Sequence, residues 1–182
     1  MRRLLLLASL ALICVAPASA QILNGDFTTS IASWVPFSTG PSVSHHPSAG
    51  NPGGAAYFFY NWTGGNASLE QPFICGSSHG DGNCAVSLDY RCYLSGGAAV
   101  QVAVLLDNQF VYIMNHTTES PLWHTIPLEV PCGPHTIAIH ANTITLGSFG
   151  GWSVFVDNVT AECTEVVDAE SRAWGAIKGI YR

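Results

Sequence analysis

Strict alternation of apolar and polar positions dominates the middle of the chain. In CAVSLDYRCYL, Val86, Leu88, Tyr90, Cys92 and Leu94 fall on one side, and Ser87, Asp89, Arg91 and Tyr93 on the other. A period of two belongs to a strand with one face in a core. After a Ser95-Gly96-Gly97 turn, AVQVAVLLD repeats it, with Val100, Val102, Val104 and Leu106 opposed by Gln101, Ala103, Leu105 and Asp107. Asp107-Asn108 is a hairpin turn from which FVYIM returns. PLWHTIPLEV and PHTIAIHAN read as two more strands. In the second, Ile137 and Ile139 point inward, with His140 and Asn142 on the opposite face.

Patterning is weaker towards the start. Ile22 and Leu23 begin a short strand bent by Asn24-Gly25, and Phe27 and Trp34 are core anchors. Residues 35–54 are rich in Pro, Gly and Ser and read as a long loop, with one short strand over Pro41 to His45. AAYFFYNW is a strand, and so is NASLEQPFIC, where Pro72 marks an edge or a bulge. The last pattern, GWSVFVDNVTAEC at 151–163, is a long β-branched and aromatic strand interrupted by Asp157 and Asn158. A buried Asp there needs a cation, a hydrogen-bonding turn or an exposed edge. Eight or nine short strands with frequent turns predict an all-β fold, a two-sheet antiparallel β-sandwich or jelly roll.

The two ends stand outside this pattern. Arg2 and Arg3, the apolar run Leu4 to Val15 and Ala18-Ser19-Ala20 make residues 1–20 a secretory signal peptide. The sandwich then spans 21–164, with no further segment suited to membrane insertion. Residues 165–182 form a C-terminal tail whose acids precede Lys178 and Arg182. Trp174, Ile177 and Tyr181 recur there at helical spacing. Gly175 and Gly179 weaken that helix. The tail is a candidate sorting or docking segment for a cell-surface partner.

Charge narrows the partners. Between Gln21 and Cys163, Arg91 is the only Lys or Arg, against nine acids. Nucleic acid, which requires a basic footprint, is excluded as a ligand class, and neutral molecules or cations are favoured. Export permits disulfides among Cys75, Cys84, Cys92, Cys132 and Cys163. Cys75 and Cys84 flank the turn-rich GSSHGDGN, so they are the first pair. The sequence does not fix the remaining connectivity; Cys132 with Cys163 is the candidate second pair, which would leave Cys92 as the odd thiol. Sequons at Asn61, Asn66, Asn115 and Asn158 are read as chance.

No catalytic signature is present: there is no G-x-S-x-G, H-E-x-x-H or phosphate loop, and the chain is not read as an enzyme. The pair His45-His46 reads as loop surface and HGDGN at 79–83 as a plain turn. Glycan binding calls for flat aromatic faces with a few polar side chains for the hydroxyls. Trp62, in the Gly-flanked YNWTGG loop, is the candidate stacking residue. Asp89, Arg91, Tyr93, Gln101, His140 and Asn142 share the non-core side of three strands and are candidates for one concave surface, the alternative being a solvated face with Arg91 held by Asp89.

Several segments together carry a resemblance. NGDF at 24–27 with Trp34, LDYR at 88–91, LWHTI at 122–126 and FVDNV at 155–159 resemble, in order, the galactose-binding-like jelly-roll carbohydrate-binding modules of the CBM4/9/16/22 type. The likeness covers roughly residues 22–163. It implies a secreted, non-catalytic module with a polysaccharide or glycan partner. Trp34, Trp123 and Trp152 fall at core positions of that family. It also implies one structural calcium, for which Asp157 matches the closing acid. Thr28 stands where the opening acid is commonest, leaving Asp26 as its substitute. The alternative reading is an extracellular structural or adhesion domain without a sugar site, crosslinked through the odd thiol.

Overall fold

The computed structural model describes residues 22–61, 64–76, 82–145 and 150–163. Trp62, the HGDGN turn as far as Asp81, the signal peptide and the tail therefore lie outside the described residues. The strands are β1 (Val35–Ser38), β2 (Ser42–Gly50), β3 (Gly53–Asn61), β4 (Asn66–Cys75), β5 (Asn83–Leu94), β6 (Ala99–Leu106), β7 (Gln109–His116), β8 (Ser120–Pro131), β9 (Gly133–Thr145) and β10 (Gly151–Cys163). They build two five-stranded antiparallel sheets, ordered β1-β4-β9-β6-β7 and β2-β3-β10-β5-β8. The all-β sandwich expected from the alternation is the fold observed.

The inner faces are the ones the period of two selects. Leu69, Val102, Val104, Ile137 and Ile139 of the first sheet meet Phe58, Leu88, Tyr90, Trp152 and Val154 of the second in one buried cluster. Each such side chain contributes roughly 1.5–3 kcal/mol through burial, which fixes the register and so decides what the outer faces carry.

Two expectations for the N-terminal third need correction. Ile22 and Leu23 are not in a strand. Asn24 and Phe27 have φ of 52° and 43°, which turns the chain out of extended geometry. A side chain replaces the missing neighbour strand: Leu23 N–H donates to Gln71 Oε1 at 2.8 Å, and Gln71 Nε2 donates to the carbonyls of Leu23 and Ser33 at 3.0 and 2.8 Å. Phe27 and Trp34 are buried beneath this clamp, with ring centroids 5.5 Å apart.

In residues 35–54 the short strand expected over Pro41 to His45 is the first part of a longer one, and the rest is not a long loop. These residues contain β1 and the nine-residue β2, each at the edge of a sheet. An edge strand needs no apolar stripe and tolerates Pro and Ser, so it leaves little trace in hydrophobic pattern. His45 and His46 accordingly lie in a strand. Pro72 is accommodated because β1 pairs with β4 only as far as Glu70, beyond which that side of β4 has no strand partner among the described residues.

Candidate functional site

The register of the first sheet places its outward side chains in rows across the strands. One row runs Phe37, Ser68, His140, Ala103, Ile113. A second runs Val35, Glu70, Ala138, Leu105, Phe110, and a third Asn66, Asn142, Gln101, Asn115. Rows two residues apart are about 7 Å apart along the strands. The middle of this face is low. Ser68, Ala103 and Ala138 are small and at most 5% exposed, whereas Phe37, Ile113 and Phe110 at the two edge strands are 49–60% exposed. The face has a covered middle, formed by Ser68, Ala103, Ala138 and Leu105, between large exposed apolar side chains at its edges, and is called the trough below.

Polar groups line one end of the trough. Asn142 Nδ2 donates to Gln101 Oε1 at 3.2 Å, and Gln101 Nε2 donates to Asn115 Oδ1 at 3.0 Å. This directed chain of amides ends at Asn142 Oδ1, which is buried and has no hydrogen-bond partner among the described residues. Such an acceptor costs free energy until a donor reaches it. Half-buried His140 lies in the next row; desolvation holds its pKa below the ordinary histidine range, with Glu70 opposing weakly. It is therefore neutral at pH 7, able to donate from one ring nitrogen and accept at the other. Ser68 Oγ donates to Glu70 Oε1 at 3.5 Å. Three of the candidate ligand residues, Gln101, His140 and Asn142, are brought together here. Ser68, Glu70, Asn115 and the apolar rims were not anticipated.

The other three candidates are elsewhere. Asp89, Arg91 and Tyr93 are on β5, in the second sheet, whose outer face is on the opposite side of the sandwich. The single surface joining all six does not exist, because β6 does not pair with β5 but turns into the other sheet. On that second face Arg91 is packed among rings, its guanidinium carbon 4.7 Å from the centroid of Trp123, 5.2 Å from Phe155 and 5.6 Å from Tyr93. Its Nη2 donates to the Ala49 carbonyl at 2.9 Å. Arg91 makes no ion pair with Asp89. That carboxylate instead accepts from Thr125 Oγ1 at 2.6 Å and Asn158 Nδ2 at 3.0 Å. Trp123 thus leaves the core expected for it and serves as a half-buried lid over Arg91, while Trp34 and Trp152 are buried.

Asp157 sits at a bulge, where the β10–β5 register shifts between Asp157 and Thr160 and Asn158 adopts φ 51°. Its side chain is fully buried, with Oδ2 accepting the N–H of Asn51 and Oδ1 that of Asn158 at 2.8 Å. Desolvation raises its pKa, the two backbone bonds oppose this, and Asp89 and Asp26 push it further up. Asp26 is exposed and turned to Thr28 N–H at 3.4 Å, and His45 Nε2 donates to the Phe27 carbonyl at 2.9 Å. The oxygens that would ligate a calcium ion are hydrogen-bond acceptors already. One buried carboxylate is a poor set for an ion that takes six to eight oxygens. The residues as arranged do not fit the metal, and the polar interruption of β10 is met by a hydrogen-bonding turn.

Cys75, Cys84, Cys132 and Cys163 converge at one end of the sandwich. Cys84 lies at bonding distance from both Cys75 and Cys163. The sulfurs of Cys75, Cys84 and Cys132 lie within 4.8 Å of one another. The expected pair Cys132–Cys163 is contradicted by topology, because those residues flank β5 from opposite sides. Cys92 is fully buried and free, with its thiol pKa raised by desolvation.

No family model matches the chain, and no curated protein matches it in sequence. Solved structures match it in fold. The carbohydrate-binding module TmCBM61, in complex with β-1,4-galactotriose, aligns with a TM-score of 0.56 at 18% identity, over 79% of this chain and 97% of that one. A cleaved adhesin domain of Lys-gingipain from Porphyromonas gingivalis aligns at 0.55 and 15% identity, over 79% and 98%. The CBM22-1–GH10 modules of a Clostridium thermocellum xylanase, complexed with xylohexaose, align at 0.50 and 13%, over 77% of this chain and 28% of that one. The chain resembles the carbohydrate-binding modules in its jelly-roll fold.

Proposed function

We propose that the protein is an exported, non-catalytic glycan-binding module whose site is the trough on the outer face of the first sheet. The observation that carries the reading is Asn142 Oδ1, a buried acceptor without a partner among the described residues, at the end of an amide chain and beside neutral His140. Sugar hydroxyls both donate and accept, so one hydroxyl would satisfy Asn142 Oδ1 and its neighbour the imidazole. The apolar rims at Phe37, Ile113 and Phe110 offer surface to pyranose C–H groups. Trp62, which lies outside the described residues, remains a candidate stacking residue on the sequence alone. A trough with no Lys or Arg in its rows favours neutral glycans. TmCBM61, bound to a neutral galactotriose, supports that class through likeness of fold.

Isothermal titration with β-1,4-galactan oligosaccharides and xylohexaose, on the parent and on Asn142→Ala, tests the reading. Binding that falls about tenfold in the variant supports it. Binding that the variant leaves unchanged, or no binding to any neutral glycan, contradicts it.

An adhesion domain is the second reading, favoured by the edge strand β7, which exposes Phe110, Val111, Ile113 and Met114. Its crosslinking version loses support, since the odd thiol Cys92 is buried.

A further inference from the structure

We infer that the end of the sandwich opposite the amide row is closed by two disulfides with a connectivity that the spacing of the cysteines conceals: Cys84–Cys163 and Cys75–Cys132. Valence sets the problem. Cys75 and Cys163 both reach Cys84, and one sulfur can hold one disulfide partner. The Cα atoms of Cys75 and Cys84 are 6.0 Å apart, so that pair is within reach as well. The choice rests on the fourth cysteine.

Topology decides it. β5 lies between β10 and β8. Cys163 is directly opposite Cys84 on β10, while Val130 is opposite Cys84 on β8, so Cys132 leaves β8 on the far side. Cys132 and Cys163 are thus about two strand spacings apart, roughly 9–10 Å, beyond the ~7 Å that a disulfide spans between Cα atoms. A Cys75–Cys84 bond would strand both of them as thiols. A Cys84–Cys163 bond instead releases Cys75 to the remaining neighbour. Cys75 is opposite Gly133 on β9, the residue after Cys132, and its sulfur is within 4.8 Å of that of Cys132. The Cys132 N–H bond to the Gly82 carbonyl, at 3.1 Å, holds the segment in place. All four sulfurs are then used. Cys75–Cys163 with Cys84–Cys132 would use them too, the Cys75 and Cys163 sulfurs being 3.7 Å apart, but Cys163 is paired directly opposite Cys84 across the sheet.

Each bond does a different task. Cys84–Cys163 joins neighbouring strands of the second sheet. Cys75–Cys132 ties β4 of the first sheet to the end of β8 in the second. Formation removes one hydrogen from each thiol: four thiols yield two disulfides, and four electrons with four protons pass to two molecules of glutathione disulfide, giving four of glutathione. Buried Cys92 takes no part.

The full chain is incubated with glutathione disulfide, alkylated, cleaved with pepsin without reduction and mapped by mass spectrometry. The expected products are one peptide pair joining Cys84 to Cys163 and one joining Cys75 to Cys132, with Cys92 alkylated only after denaturation. A Cys75–Cys84 link with Cys132 and Cys163 alkylated would overturn the assignment. So would four alkylatable thiols on a chain that carries one equivalent of zinc.

Discussion

Gln101 and Asn142 stand directly opposite each other on β6 and β9, and the Asn142 amide donates to the Gln101 amide oxygen at 3.2 Å. Because Gln101 then donates onward to Asn115, its orientation is fixed, and the only amide oxygen left over in the chain is that of Asn142. A ligand hydroxyl meets a prearranged acceptor rather than a flexible one. Gln101→Ala should therefore weaken glycan binding by about tenfold, although the unpartnered atom is on its neighbour. Titration calorimetry reads it, and an unchanged affinity would show that the amide chain plays no part.

Acid should weaken the same interaction. Burial depresses the His140 pKa, so the folded protein favours the neutral ring. The associated stability is fully present above the unfolded value near 6.5 and is lost as pH falls through the folded pKa. Affinity should be flat from pH 7 to 8 and decline only as pH falls below the ordinary histidine range, and His140→Ala should flatten that profile. A decline of equal depth in the variant would assign the titration to another group.

Arg91 makes a control. Its aromatic stack belongs to the opposite face, where loss of the guanidinium would leave Trp123, Phe155 and Tyr93 without their filler. Arg91→Ala should cost about 1–3 kcal/mol of stability in urea unfolding, through lost packing and cation–π contact. Glycan affinity of the folded variant should match the parent. A large affinity loss would move the site to the second sheet.

The fold and half of the candidate site were legible in the alternation. Val100 to Leu106 and Ile137 to Asn142 each declare which side chains face out, so Gln101, His140 and Asn142 could be named without coordinates. What alternation cannot supply is which strands share a sheet, and Asp89, Arg91 and Tyr93 were joined to the wrong face for that reason. Asn115 was hidden by a single residue. Counting back from the Asp107-Asn108 turn puts Gln101 opposite Met114, but the bulge between Val104 and Leu105 shifts the pairing and brings Asn115 outward beside it. The edge strand β1 escaped notice and β2 was read only as far as His45, because an exposed strand needs no apolar stripe. The Leu23 segment misled in the opposite sense, for its strand-like bonds are made by the Gln71 side chain.

That clamp gives a further expectation. Gln71 is 2% exposed and satisfies three main-chain groups, so Gln71→Ala strands buried donors and acceptors. A loss of about 2–4 kcal/mol is expected from two or more such groups, with the fluorescence of nearby Trp34 reporting an earlier local transition. A variant as stable as the parent would mean the opening segment is held by its apolar anchors alone.

Calcium and acid should reveal how the Asp157 bulge is held. Its raised pKa means that the folded protein favours the protonated form, so this group's contribution is greatest at acid pH and is lost as pH rises through the folded pKa. A bound cation would reverse that sign by stabilising the carboxylate. Thermal unfolding in EDTA and in millimolar calcium should coincide, and a midpoint that rises with calcium would contradict the cation-free bulge.

The central claim is that glycan binds the trough of the first sheet. The most direct measurement is a two-dimensional NMR titration with a β-1,4-galactan oligosaccharide, following side-chain amide and imidazole resonances. Saturable shifts are predicted for Gln101, Asn115, Asn142 and His140, with Arg91 Nε and Trp123 Nε1 unmoved. Shifts confined to Arg91 and Trp123, or no saturable shift with this glycan or with xylohexaose, would contradict it.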